Sequence, residues 1–145
     1  HWEQLQFAAL VAAPGVILHE LAHKFVALGF GLAAIFKVFW VGLGLGVVLK
    51  LLGSPFLLVA PGYVEISGAL TPLSGFFTAF AGPLMNLILF LVALIVLKTQ
   101  SSLSERHLLF WGLTKKINGV LFLFNMIPFG PLDGAKVFSY LFELF

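Results

Sequence analysis

The sequence predicts a membrane protein, mainly α, folded as a polytopic helical bundle with a small membrane-associated β region after the first helix. Three observations predict it. Of 145 residues only eight are Lys or Arg and six Asp or Glu, and 61% are hydrophobic, whereas an ordinary soluble domain is roughly 25% charged. The apolar residues gather in runs of about 20, long enough to cross a hydrocarbon core of about 30 Å. Between two such runs lies "PFLLVAPGYVEIS", a β-branched and aromatic stretch punctuated by Pro-Gly that reads as extended chain. Four or five spans would use nearly the whole chain, so residues 1–145 are read as one transmembrane domain.

The first segment runs from about Leu5 to Phe30 and has the length of a spanning helix, with His19, Glu20, His23 and Lys24 in its second half. No basic leader region precedes it, so it is read as mature structure rather than a signal peptide. Residues 31–75 depart from a simple span. The run "AIFKVFWVGLGLGVVLKLL" is apolar enough to insert, but Lys37, Lys50 and the helix-poor "GLGLG" suit an inserted or re-entrant piece better. Any strand here must be covered by protein or lie at the interface, because an edge facing lipid leaves backbone groups unpaired.

Residues 76–97 form the clearest later span, with Thr78 and Asn86 in its first half, and "KTQSSLSER" at 98–106 is a hydrophilic loop at a water-facing edge. A fourth segment, about His107 to Ile127, is interrupted by Lys115, Lys116 and Asn118. The prolines and glycines of "PFGPLDG" then stop regular helix, and "AKVFSYLFELF" closes the chain as a short helix.

Composition also excludes classes of function. A net charge of +2 with scattered basic residues offers no groove for phosphates, so nucleic acid is not an expected partner. With no cysteine, any transition metal must be held by His, Asp or Glu.

His19 and His23 lie four apart, so on a helix they share a face and can converge two imidazole nitrogens on one ion. With Glu20 beside them they form HExxH, in which two histidines hold zinc and the glutamate is general base for the attack of water on a carbonyl. Chance would yield this pattern about 0.004 times in such a chain. A structural histidine pair or a proton pathway is the plainer alternative. Yet ionisable groups at membrane depth must be paired or metal-bound to repay their desolvation.

Tetrahedral zinc needs a third protein ligand, and the candidates are Glu65, Glu105, His107, Asp133 and Glu143. Glu105 and His107 flank the hydrophilic loop, Glu143 is almost terminal, and Glu65 falls in the strand region. Asp133, the one aspartate in the chain, lies where Pro128, Gly130, Pro131 and Gly134 let a carboxylate turn inward. Its plainer reading is a cap on the final helix.

"HELAH" on an early helix, "AGPLMN" opening a later one and "NMIPFGPLDG" near the end, in that order, resemble the site-2 protease family of intramembrane zinc metalloproteases over nearly the whole chain. The resemblance implies a zinc ion held by His19, His23 and Asp133, with Glu20 as catalytic base. It also implies that Asn125 steadies the substrate or the oxyanion and that Asn86 supports the site, although both asparagines equally suit the commoner work of joining membrane helices. It further implies hydrolysis of peptide bonds in or near transmembrane segments of membrane-anchored substrate proteins, a multi-pass location in the lipid bilayer and an active site towards the cytosolic face. The competing reading is a catalytically inactive polytopic protein that binds metal or transmembrane partners, and Glu20 argues against it because metal binding alone does not require a base. Oligomeric state is not legible.

Overall fold

The computed structural model describes residues 2–38, 40–41, 48 and 62–145. In chain order these residues form α1 (Trp2–Gly29), β1 (Ala33–Val38), β2 (Gly62–Ser67), α2 (Pro72–Thr99), α3 (Glu105–Asn125) and α4 (Asp133–Glu143).

Local chemistry sets the ends. α1 contains Pro14 and closes on Gly31, whose φ of 74° is left-handed. There Gly31 N–H donates to Leu28 O at 3.0 Å and Leu32 N–H to Ala27 O at 3.0 Å, the paired bonds of a Schellman cap that favour glycine. α2 starts on a capping box. Thr71 Oγ1 accepts from Ser74 N–H at 3.2 Å and Ser74 Oγ accepts from Thr71 N–H at 2.9 Å, with Pro72 in the first turn, where its missing donor is not needed. Ser104 caps α3 by accepting from His107 N–H.

β1 and β2 pair antiparallel, with Ala33 opposite Ser67 and Val38 opposite Gly62. Lys37 and Glu65 make an ion pair on one exposed face of this hairpin. β2 falls within the stretch read as extended. β1 falls where apolarity alone suggested insertion, and its Ile35, Phe36 and Val38 suit a pleated surface. Most of "WVGLGLGVVLKLL" and all of 55–61 lie outside the described residues, as does the question of a re-entrant helix there.

α1 and α2 run antiparallel: along α1, Gly15, His19 and His23 meet Asn86, again Asn86, and Thr78 of α2 in turn. α3 returns alongside α2, joined at Asn86 and Asn118. The turn after α3 carries Gly130 at a φ of 59° and brings α4 back under the bundle. There the backbones are close enough that a Cβ on Gly134 would stand 2.5 Å from the Met126 carbonyl, and one on Gly75 would strike the Tyr140 ring.

The interior is small and polar. Buried positions are filled by Val11, Ala27, Ala79, Ala81 and Ala93 beside His19, His23, Thr78, Asn86, Thr114 and Asn118, while Ile17, Phe25, Leu123 and Phe129 face outward. Among the described residues two helical stretches are long and apolar enough to cross a membrane, Ala9–Gly29 and Pro72–Thr99, and only 22% and 28% of their apolar windows are buried. α3, expected as a further span, is not among them; it carries Glu105, Arg106, Lys115 and Lys116.

The close approach at Gly134 is testable. Gly134→Ala should lower the stability of the detergent-solubilised protein by about 1–3 kcal/mol through overpacking, read as a fall in melting temperature. Gly112→Ala, where a Cβ would meet nothing within 4 Å, should leave the melt unchanged or raise it.

Candidate metal centre

The site is built where α1 faces α2. His19 and His23 stand one turn apart on α1, their rings edge to face with centroids 4.8 Å apart, and both are 7% exposed. Each is oriented from behind by its Nδ1. His23 Nδ1 lies 2.7 Å from the Thr78 carbonyl, which can only accept, so the proton resides on Nδ1. His19 Nδ1 lies 2.6 Å from Asn86 Oδ1, again an acceptor. In their neutral forms both histidines therefore present a bare Nε2 lone pair forwards.

Those two nitrogens are 3.1 Å apart. Asp133, the first residue of α4, places Oδ2 3.0 Å from His19 Nε2 and 3.2 Å from His23 Nε2. The helix takes Leu132 as its N-cap without a side-chain bond, so Asp133 is turned inward instead of capping.

With both histidines neutral and protonated on Nδ1, these three electron-pair donors would face one another and suit a cation placed among them. Metal bonds of 2.0–2.1 Å at the tetrahedral angle would separate the ligand atoms by about 3.3–3.4 Å, close to the distances here, and two histidines with one carboxylate are a zinc donor set. His19, His23 and Asp133 form the group of ligand atoms suited to a metal among the described residues. Gly82 leaves the space open: a Cβ there would stand 2.5 Å from His19 Nε2 and closer still to His23 Nε2.

Glu20 is held separately. Its Oε2 accepts from the Val64 N–H of β2 at 3.2 Å, so a strand fixes the carboxylate while helices fix the ligands. Of the other third-ligand candidates, Glu65 pairs with Lys37, His107 lies beside Ser104 at the exposed start of α3, and Glu105 and Glu143 are exposed. Asn125 ends α3, half-buried, ahead of the turn to Asp133.

Two contributors escaped sequence reasoning. Asn118, seen there only as an interruption of an apolar run, is 1% exposed and bonded to Asn86. Gly82, in "AGPLMN", is required by the histidines.

Three proteins that carry the name "putative zinc metalloprotease" align with the chain. MJ0611 of Methanocaldococcus jannaschii is 38% identical over 138 residues, covering 90% of this chain and 68% of its own length. YwhC of Bacillus subtilis is 32% identical, covering 83% of this chain and 62% of its own. For sll0528 of Synechocystis the identity is 34%, with 89% of this chain and 29% of the longer protein covered. No protein-family model and no solved structure matches the chain.

Purified protein is expected to hold one zinc per chain by elemental analysis. Asp133→Ala should empty the site, and Gly82→Ala, which changes no ligand, should weaken zinc binding at least about 10-fold, as disruption of supporting residues does elsewhere. Unchanged affinity in both variants would remove zinc from this position.

Proposed function

The chain belongs to the zinc metalloprotease family of these relatives, and on that premise we propose that it is an intramembrane protease of the site-2 type, acting on membrane-anchored proteins. The observation that carries the reading is the pairing of buried His19 and His23 and half-buried Asp133 with a separately held Glu20 on a helix long enough to cross a bilayer. The outward apolar side chains and polar interior support a lipid setting, because a soluble fold would bury the former.

Zinc, when bound, supplies a Lewis acid that activates water and polarises the scissile carbonyl. Glu20 takes the proton from the attacking water and passes it to the leaving amine, with the Val64 N–H keeping the carboxylate in place between the two transfers. The side-chain amide of Asn125 donates to the oxygen on which charge develops. Asp133 and the two histidines remain ligands throughout, and their Nδ1 partners keep the imidazoles from turning.

Depth follows from the helices. His19 lies ten residues before the end of α1 and Gly82 ten after the start of α2, so both stand about 15 Å from the end of the bundle that carries the β region. The 100–104 connection is about 25 Å away along α2. In this reading the site opens towards the nearer, β-region face, which we assign to the cytosol, with α3 and α4 as the remaining membrane-embedded elements.

Glu20→Gln should keep zinc and fold but abolish cleavage of a co-expressed membrane-anchored substrate, since an amide cannot accept the proton. Val64→Pro removes the N–H that holds Glu20 and should lower turnover at unchanged zinc content. Substantial cleavage by Glu20→Gln would reject the general-base role and leave a metal-binding scaffold.

Single cysteines test the topology in a chain with none of its own. Introduced at Ser102 and at Ala33, both exposed, they should react with an impermeant thiol reagent from opposite sides of the membrane. Reaction of both from one side would overturn the assigned depth.

A further inference from the structure

We propose that Asn118 is a positioning residue for the metal centre, acting through Asn86 to fix which way His19 presents its lone pair. The inference rests on the zinc reading above and concerns a residue that hydrogen-bonds to Asn86 and Thr114 and to none of the three candidate metal ligands.

His19 can serve as an Nε2 ligand only if its proton stays on Nδ1, and that requires Asn86 to show it the carbonyl oxygen rather than the amide nitrogen. An asparagine side chain turned by 180° has almost the same shape, so packing alone does not choose between the two. Hydrogen bonding does. Asn86 Nδ2 donates to Gly15 O at 3.1 Å and to Asn118 Oδ1 at 2.9 Å. Turned over, Asn86 would set its oxygen against two acceptors and its amide hydrogens against His19 Nδ1, which would drive the histidine proton to Nε2.

The orientation of Asn118 is fixed in turn, because its own Nδ2 donates to Thr114 O at 2.9 Å on the preceding turn of α3. A single donor-to-acceptor chain thus runs from His19 Nδ1 to Asn86 Oδ1, from Asn86 Nδ2 to Asn118 Oδ1 and from Asn118 Nδ2 to Thr114 O, where it is anchored. Every link is shielded from water. Asn86 is 0% and Asn118 1% exposed, and a Cβ on Gly15 would stand 2.7 Å from Asn118 Oδ1, so α1 closes directly over the pair. In this low-dielectric setting a reversed amide would leave opposed acceptors with no water to relieve them.

The test measures metal binding and coordination on the purified full chain, and not proteolysis. Asn118→Leu keeps the shape and removes the acceptor; Asn118→Asp, as a neutral acid, can still accept from Asn86 through its carbonyl oxygen and donate to Thr114 O through its hydroxyl. Zinc affinity by chelator competition should fall about 10-fold or more in Asn118→Leu, its cobalt-substituted form should show a shifted visible spectrum, and Asn118→Asp should recover both. In an Asn86→Leu background Asn118→Leu should have no further effect on affinity. Wild-type affinity and spectrum in Asn118→Leu would overturn the proposal, as would an equal loss in the Asn86→Leu background. If Asn118→Leu does not fold, Asn118→Ala takes its place: a fall in affinity and a shift in spectrum, both recovered by Asn118→Asp, support the proposal, and wild-type affinity and spectrum in Asn118→Ala overturn it. Failure of the wild-type chain to bind zinc would instead reject the zinc reading itself.

Discussion

His19 Nε2, His23 Nε2 and Asp133 Oδ2 stand 3.0–3.2 Å from one another, and the rest of the structure follows from the need to hold three electron-pair donors that close. Without a cation among them they repel; with one, they must be aimed to within a few tenths of an ångström. Two come from one helix and need only the i, i+4 spacing. The third comes from a point 110 residues further on and needs the whole fold. The turn from Asn125 to Asp133, with Gly130 in the left-handed region and Gly134 against the Met126 carbonyl, exists to deliver that carboxylate.

Close approach explains which residues fill the interior. α1 is drawn against α2 at Gly82 and against α3 at Gly15, where a Cβ would collide with the histidines and with Asn118 respectively, and buried positions nearby include alanines. Large side chains are thereby displaced to the outside. In water that arrangement would leave the hydrophobic effect unused, whereas in hydrocarbon small-residue packing and shared hydrogen bonds are what join helices. Asn86, which bonds Gly15 and His19 of α1 and Asn118 of α3, is therefore both an adhesive of the bundle and a support of the candidate metal centre.

Much of this was legible in the sequence, and the reasons differ by residue. HELAH is local, so its spacing alone shows that two ligands share a face. Asp133 could be reached because an aspartate between Pro131 and Gly134 leaves little else for it to do in an apolar chain. β2 showed in its composition, although β1 did not, since a six-residue apolar strand and a piece of buried helix look alike in hydropathy. Asn118 and Gly82 were beyond reach for another reason. Their roles depend on which residues of other helices lie opposite, and no pattern within one segment carries that information. The one trace of Asn118 was its presence as an uncharged polar residue within an apolar run.

Ligands and base are held by different kinds of structure, and the chemistry benefits from the separation. The ligands must not move as the reaction proceeds, and they hang on helices locked by buried hydrogen bonds to Thr78 O and Asn86. Glu20 shares their helix but in the proposed mechanism exchanges protons with water and with the leaving group, a role for which its carboxylate cannot be sealed in the same way. It turns instead towards the half-exposed hairpin and takes a single bond from the Val64 backbone. A backbone N–H has no proton to give up at the working pH. It can steady a carboxylate that is alternately charged and neutral without joining the proton transfer, which a side-chain donor such as lysine or histidine could not guarantee.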